Sequence, residues 1–117
     1  MFVTNAATQS IRNNNYRKVI YTNEEVQLVY MSLNIGEDIP IETHDGTQIF
    51  NIVSGRGMIL IGRTRKKLSD GIVAVVPPYT EHYVKNTSRD EPLKFWTVYV
   101  PPEHPPKTIQ NRQEDSK

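Results

Sequence analysis

The stretch GEDIPIETHDGTQIFNIVSG, residues 36–55, contains the end of one predicted β-strand, a turn and the start of the next strand. Side chains alternate between the two faces of a strand, so Glu42 and His44 are predicted to share a face, about 7 Å apart. The Asp-Gly pair at 45–46 is a typical turn sequence, and a reversal there could bring Gln48 back beside them. A carboxylate oxygen, an imidazole nitrogen and an amide oxygen would then converge on one point.

Short apolar runs separated by turn residues extend along the middle of the chain. They are rich in β-branched and aromatic residues and predict the strands of a sandwich or small barrel. Because no segment shows a sustained 3.6-residue apolar period, little helix is expected. We therefore predict an all-β domain at residues 16–102, between a loose polar arm at 1–15 and a polar tail at 103–117. The predicted strands lie in YRKVIYT, VQLVYMSL, TQIFNIV, GMILIG, GIVAVV, EHYVKN and LKFWTVYV.

Length and composition fit one globular domain. The chain has 117 residues, of which 23% are charged and 37% are hydrophobic, and its formal net charge of +1 gives no reason to expect nucleic acid or an anionic membrane as partner. The lack of cysteine excludes disulfides and thiolate chemistry. No apolar run approaches the roughly 20 residues of a membrane span, and the start has no signal-peptide pattern. A cytoplasmic protein is therefore expected.

A second histidine adds to the predicted site. His82 follows Pro77-Pro78, a pair that cannot continue a central strand ladder, at the point where the next strand begins. Two histidines and one carboxylate facing a cavity suit an octahedral Fe(II), Mn(II) or similar ion with open positions. Each residue taken singly has another interpretation: a lone strand histidine is more often a surface or hydrogen-bonded core residue, and Glu42 or Gln48 a solvated residue near a turn.

Two other segments carry weaker hypotheses. The segment RTRKK, residues 63–67, holds four positive charges between two predicted strands, and we interpret it as a solvated hairpin tip. His104 lies in the proline-locked segment PPEHPP. It could fold over a cavity mouth, but a mobile tail histidine is the preferred interpretation.

The spacing in residues 36–55 resembles the first sequence motif of the cupin family. That motif has a Gly, five residues, His-x-His, three or four residues, a Glu, six residues and a Gly. The same gaps separate Gly36, Glu42-Thr43-His44, Gln48 and Gly55 in this chain. Glu42 stands where the family has a histidine, and Gln48 stands where it has a glutamate.

The second cupin motif is matched further along the chain. It has a Gly, five residues, Pro-x-Gly, two residues, a His, three residues and an Asn, and the same gaps separate Gly71, Pro77-Pro78-Tyr79, His82 and Asn86. Tyr79 stands where the family has a glycine. The resemblance covers residues 36–86 and implies a single-domain cupin jelly-roll β-barrel.

The resemblance also implies which residues would bind a metal. The family's ligand positions map to Glu42, His44, Gln48 and His82 in this chain. Glu42 restores the negative charge lost at Gln48, so the implied cofactor is a divalent ion such as Fe, Mn, Zn or Ni. The alternative is a barrel mouth that binds a small molecule without metal.

Cupins include dioxygenases, isomerases, epimerases and binding proteins, so the fold alone does not give the function. The resemblance implies a metal-dependent enzyme that acts on a small oxygen-rich metabolite, dioxygenase-like or sugar-isomerase-like, or else a non-catalytic binder of a sugar or metabolite. GMILIG and GIVAVV are apolar on both strand faces, so their second cover is either another sheet of a closed barrel or a partner subunit, and a homodimer is expected because twofold homo-oligomers are the commonest kind. The pocket's apolar wall is predicted at Phe50, Tyr79, Tyr83 and Trp96.

Overall fold

Within residues 1–116, ten β-strands form two antiparallel sheets that enclose an apolar core. The computed structural model describes residues 1–116. The prediction of an all-β fold with little helix is confirmed, and none of the helices described is long and apolar enough to cross a membrane. The elements are α1 (Ala6–Arg12), β1 (Arg17–Thr22), β2 (Gln27–Leu33), β3 (Asp38–Glu42), β4 (Thr47–Ser54), β5 (Gly57–Ile61), β6 (Thr64–Leu68), β7 (Val73–Val76), β8 (His82–Asn86), β9 (Leu93–Val100), β10 (Ile109–Gln110) and a 3-10 helix at Gln113–Ser116.

The two sheets differ in size. The larger has the strand order β10-β1-β2-β9-β4-β7, and the smaller has the order β3-β8-β5-β6. The core lies between the sheets and takes apolar side chains from both of them. Strand β4 shows this directly, because Gln48, Phe50 and Ile52 are buried on its inner face and the residues between them are only partly buried. The 2-residue alternation of the sequence TQIFNIV predicts the same grouping, with Gln48, Phe50 and Ile52 on one face and Ile49, Asn51 and Val53 on the other.

The register of β8 places one end of the smaller sheet at the candidate site. His82, the first residue of β8, lies opposite Glu42 at the end of β3 and opposite Ile61 at the end of β5. At the other end of the same strands, Asn86 lies opposite Gly57. His82 and Asn86, four residues apart along β8, therefore mark the two opposite ends of the smaller sheet.

The N-terminal arm is not loose, contrary to the sequence prediction. Residues 6–12 form α1, and Nζ of Lys94 on β9 donates hydrogen bonds to the carbonyl oxygens of Ile11 in the last turn of this helix (2.7 Å) and of Asn13 just beyond it (2.6 Å). The lysine is buried beneath the arm. Composition could not reveal this packing, because the amine that fixes the polar arm comes from a strand about 80 residues away. Where the barrel domain begins and ends along the chain stays a prediction.

The C-terminal tail also packs on the barrel. Its short strand β10 pairs with β1, with Gln110 opposite Arg17. The side chain of Gln27, which is buried on β2, accepts hydrogen bonds from the backbone N–H groups of Glu103 (3.2 Å) and His104 (3.0 Å) and donates one to the carbonyl oxygen of His104 (2.7 Å). The tail is therefore held across the end of β2, close to the candidate site.

Strand β7 is apolar on both faces, but only one face is covered in the single chain. The outward side chains of Val73 and Val75 are 54% and 53% exposed. The strand is the edge of the larger sheet. The homodimer stays a prediction, and these two valines are the apolar surface on β7 that it would cover.

Candidate metal site

The structure brings together Glu42, His44 and His82 at one end of the barrel. Pairing of β3 with β8 places Glu42 opposite His82, and His44 follows two residues after Glu42. Oε1 of Glu42 lies 3.3 Å from Nε2 of His44 and 3.6 Å from Nε2 of His82. One donor atom from each residue fits within a 4.8 Å cluster.

Both histidines turn the same ring nitrogen toward Glu42. Nδ1 of His82 lies 3.0 Å from the carbonyl oxygen of Thr80, which only accepts, so Nδ1 donates this hydrogen bond and Nε2 is the nitrogen left toward Glu42. Nδ1 of His44 lies 3.2 Å from Oε1 of Glu103, an ion-pair distance without the alignment of a hydrogen bond. An oxygen acceptor behind each imidazole is the arrangement that orients histidine ligands of metals.

Gln48 presents a free amide oxygen inside the barrel. Its Nε2 donates to Oγ1 of Thr97 (3.0 Å), and Thr97 donates in turn to the carbonyl oxygen of Ile49 (2.8 Å). Because the Thr97 hydroxyl proton is used on Ile49, Oγ1 must accept from the amide N–H, and this fixes the amide orientation. Oε1 of Gln48 is buried with no hydrogen-bond partner among the described residues. The side chain is thus an acceptor without a donor, as a ligand or an orienting group would be.

The charges of the cluster are strongly coupled. Burial acts to raise the pKa of Glu42, but its interactions with His44 and His82 outweigh burial and lower the pKa to about 2. Burial acts to lower the pKa of His44, but the Glu42 and Glu103 carboxylates outweigh it and raise that pKa. Near neutral pH the cluster therefore offers an ionised Glu42 carboxylate, and because the pKa of His44 is raised, a cation that binds this imidazole competes with a proton.

These donor atoms fit a divalent metal ion. Two ligands each about 2.1 Å from one ion, at tetrahedral or octahedral angles, lie about 3.0–3.4 Å apart. The 3.3 and 3.6 Å distances from Glu42 to the two histidines are close to this spacing. Nε2 of His82 is buried and has no hydrogen-bond partner among the described residues, which a bound cation would satisfy.

Comparison with known proteins identifies the family. The profile of the cupin domain matches residues 29–99, well over half of the chain and including all three residues of the cluster. The chain belongs to the cupin family. The predicted single-domain jelly-roll barrel is thereby confirmed as the fold.

Relatives of this cupin extend over nearly all of its length. Protein L612 of Acanthamoeba polyphaga mimivirus is 38% identical over 120 residues, covering 99% of this chain and 75% of the viral protein. YrkC of Bacillus subtilis (strain 168) is 36% identical over 122 residues, covering 98% of this chain and 65% of YrkC. This chain thus spans a little under two thirds of the Bacillus relative.

Solved structures agree with this assignment. The crystal structure of BH2720 from Bacillus halodurans superposes with a TM-score of 0.95 at 30% identity and covers 98% of this chain and 92% of that chain. This coverage includes the arm and the tail. KdgF from Halomonas sp. has a TM-score of 0.69 at 19% identity, over 74% of this chain and 78% of that chain, and therefore shows the fold alone.

The tail of this cupin contributes two residues that sequence reasoning did not place at the site. Glu103 meets His44, and the ring of His104 lies edge-on 5.2 Å from that of Tyr99, with 3.3 Å between its Nε2 and the tyrosine oxygen. Tyr99 itself lies edge-on 5.5 Å from the His44 ring. The preferred interpretation of His104 as a mobile tail residue is thus wrong, since its ring packs on Tyr99. The prolines on both sides were the available signal.

Of the four residues predicted for the pocket wall, the structure places only the Phe50 ring beside the cluster, and the wall itself stays a prediction. The Phe50 ring lies 6.3 Å from that of His82 inside the barrel. Tyr83 and Trp96 alternate with the inward residues of β8 and β9 and therefore point outward, where the Tyr83 hydroxyl donates to Asp38 (2.6 Å). Tyr79 is 77% exposed, since it lies on the loop before β8 rather than on a strand.

Tyr79 nevertheless has a structural role through its backbone. Its N–H donates to the carbonyl oxygen of His44 (2.8 Å), which ties the loop before His82 to the loop that carries His44. Its φ of +59° lies in the left-handed region that favours glycine. This conformation explains why the cupin motif has a glycine at this position.

Proposed function

We propose that this cupin binds one divalent metal ion through Glu42, His44 and His82, with Gln48 as a fourth, neutral oxygen donor. The observation that carries the proposal is the common direction of the two imidazoles. Each turns Nε2 toward the same Glu42 oxygen while an oxygen of the chain stands behind its Nδ1. A histidine packed only for stability needs no such shared direction.

We further propose that the metal-bound protein is an enzyme acting on a small oxygen-rich metabolite, by a dioxygenase-like or a sugar-isomerase-like reaction. When bound, a metal supplies Lewis acidity to a chelating oxygen substrate, or redox chemistry if it is iron. Three or four protein ligands would leave one or more positions for such a substrate. The Glu42 side chain is 29% exposed whereas those of His44 and His82 are 7% and 1% exposed, which supports approach of the substrate from the Glu42 side.

A non-catalytic binder of a small sugar or metabolite is the second candidate, and two pKa values favour it. Burial raises the pKa of Tyr99 well above its ordinary value, and burial with the nearby Arg17 charge lowers that of His104 to about 4. Both groups are therefore neutral at pH 7 and far from the pKa that suits a general acid or base. These two residues next to the cluster suit binding, or chemistry carried by the metal alone.

Metal titration tests the site itself. Purified protein stripped with chelator and titrated with Mn(II), Fe(II), Ni(II) or Zn(II) is expected to bind one ion per chain. His44→Ala and His82→Ala should each weaken binding at least a hundredfold. Glu24→Ala is the control, because it removes an exposed side chain that could bind a metal, in the turn between β1 and β2 and outside the cluster. Equal loss in all three variants, or no stoichiometric binding to wild type, would overturn the metal site.

Turnover separates the two candidates. Metal-loaded protein is assayed for oxygen consumption with small diols and keto acids and for isomerisation of sugar phosphates, with His82→Ala as the blank. Turnover that disappears in the variant supports the enzyme. Saturable binding of a sugar or metabolite by wild type, with no turnover under any metal, supports the binding protein instead.

A further inference from the structure

A groove of about 860 Å³ lies at the end of the smaller sheet opposite the metal cluster. Three segments form it: the turn between β4 and β5, strand β6 with the residue after it, and the loop between β8 and β9. The groove is separate from the metal cluster. It is lined by Gly57 and Thr87 at one end of the paired strands β5 and β8, whereas His82 lies at the other end of this pair. The charged residues that line it are Arg56, Arg65, Lys66, Lys67, Arg89 and Asp90.

The groove concentrates positive charge in an almost neutral protein. It takes five of the 14 Lys and Arg residues of the chain but only one of the 13 Asp and Glu residues. Its lining therefore carries a charge of +4, whereas the remainder of the chain carries −3. Charges of one sign that line a concave surface focus the field and raise the local concentration of counter-ions.

Most of these cations are not neutralised by the protein. The described part of the chain gives them a single ion pair, Arg56 with Asp90 at 3.9 Å, and both of those side chains are largely exposed. Arg65, Lys66 and Lys67 are consecutive and exposed on β6. Successive side chains of a strand point to opposite faces, so Arg65 and Lys67 share one face, and with no acidic ion-pair partner for them among the described residues these charges favour an anion from outside the chain.

Protection of a sheet edge accounts for only part of this pattern. Strand β6 is the edge of the smaller sheet, and lysines on an edge discourage pairing with other chains. Arg56 and Arg89 lie outside β6, in two different connections, and edge protection does not require them there. Convergence of the three segments on one concavity is what a binding site would need.

We propose that this groove binds a small, multiply phosphorylated anion of about nucleotide size. The arginines can hold phosphate oxygens through paired N–H groups, and the lysines act as point charges. Ser69 and Thr87 add hydroxyl donors, while Met58 and Leu68 offer apolar contact to a ring or chain. The volume lies within the 300–1,000 Å³ typical of small-ligand sites. The net negative charge of the remainder disfavours a long polyanion that would extend past the groove.

Titration with inorganic tripolyphosphate tests the groove on metal-free protein at low ionic strength. Calorimetry is expected to show one anion per chain, and the amide NMR signals of Arg56, Lys66, Thr87 and Arg89 should shift together. The double variant Arg65→Glu, Lys67→Glu should bind at least tenfold more weakly. Arg63→Glu is the matched control, because it reverses a charge in the same hairpin outside the groove, and it should change binding less than twofold.

Other outcomes would overturn the inference. Equal weakening by Arg63→Glu would show a diffuse field rather than a site. Tighter binding of a ten-nucleotide single strand than of tripolyphosphate would point to nucleic acid instead. Loss of binding in His82→Ala would place the anion at the metal cluster. If the double variant fails to fold, the shifts of the amide NMR signals in the wild-type protein still show whether the anion binds in the groove. This result does not depend on whether the metal site exists.

Discussion

Oε1 of Glu103 lies 3.2 Å from Nδ1 of His44, behind the ring nitrogen that faces Glu42. A residue of the tail thus stands next to a candidate ligand that is 59 positions earlier in the chain. Gln27 fixes the backbone on which this carboxylate is carried. The site therefore depends on a segment outside both cupin motifs.

Replacing Glu103 tests its contact with His44. Glu103→Gln keeps the side-chain size but removes the charge that orients the imidazole, so metal affinity should fall about 10–100-fold, as measured by calorimetry. Glu81→Gln is the control, because it removes an exposed carboxylate next to His82. A similar loss in both variants would assign the effect to general charge, and no loss in Glu103→Gln would remove the contact from the site.

The stability of the metal-free protein should depend on pH through Glu42 and His44. Since the folded-state pKa of Glu42 is lowered from 4.5 to about 2, its contribution is present above pH 4.5 and is lost as pH falls toward 2. Since the pKa of His44 is raised from 6.5, its contribution is present below pH 6.5 and is lost as pH rises through the raised value.

Urea unfolding of wild type and Glu42→Gln at pH 3, 5.5 and 9 measures this dependence. The difference in the free energy of unfolding between the two proteins should be largest at pH 5.5 and smaller at both extremes. A difference that is constant across the three pH values would show that the carboxylate and the imidazole are not coupled in the folded protein.

Gln27→Ala should destabilise the protein by about 2–4 kcal/mol, because it removes a buried amide and leaves partly buried backbone groups of Glu103 and His104 without this partner. It should also weaken metal binding, since Glu103 loses its support. Chemical unfolding and metal titration measure the two effects. The exposed Gln9→Ala in α1 should change stability by less than about 0.5 kcal/mol. Unaltered metal affinity in Gln27→Ala would mean that Glu103 is held by other contacts.

Tyr79→Gly should stabilise the protein by up to about 1 kcal/mol. Relief of the left-handed backbone conformation is offset in part by the greater freedom of glycine in the unfolded chain. Thermal unfolding measures the change, and metal affinity should stay the same. Gly71→Ala makes the opposite change, because it puts a side chain on a residue whose φ is +83° and which has open space around it. The free energy of unfolding of this variant should fall by about 1 kcal/mol. A less stable Tyr79→Gly would show that contacts of the exposed ring outweigh the strain.

Local sequence was sufficient for most strands and for the three clustered residues, but not for β10 or for β6, which includes four of the five residues interpreted as a hairpin tip. Alternation along β4 groups Gln48 and Phe50 on one face, which the structure shows to be the inner one, and the gaps of the two motifs bring Glu42, His44 and His82 together. The alternation of residues and the spacing of the motifs both depend on neighbours close in the chain, so they can be read from a single sequence.

Alternation fails where a strand is covered on both sides. Strand β9 is apolar at most positions, and periodicity cannot tell whether Trp96 or Tyr99 points inward. Tyr99 is the inward residue and lies beside His44. Contacts between distant segments, such as Lys94 with the arm and Glu103 with His44, leave no local pattern at all.

The burial of Lys94 gives the arm a chemical reporter. Its amine is enclosed by the oxygens of Ile11, Asn13 and Asn14, and burial lowers its pKa. An amine-reactive reagent can modify this lysine only after the arm has lifted away, whereas Lys66 and Lys67 stay accessible throughout. Mass spectrometry of the modification rate at Lys94 would therefore count how often the first fifteen residues detach, without any unfolding of the barrel.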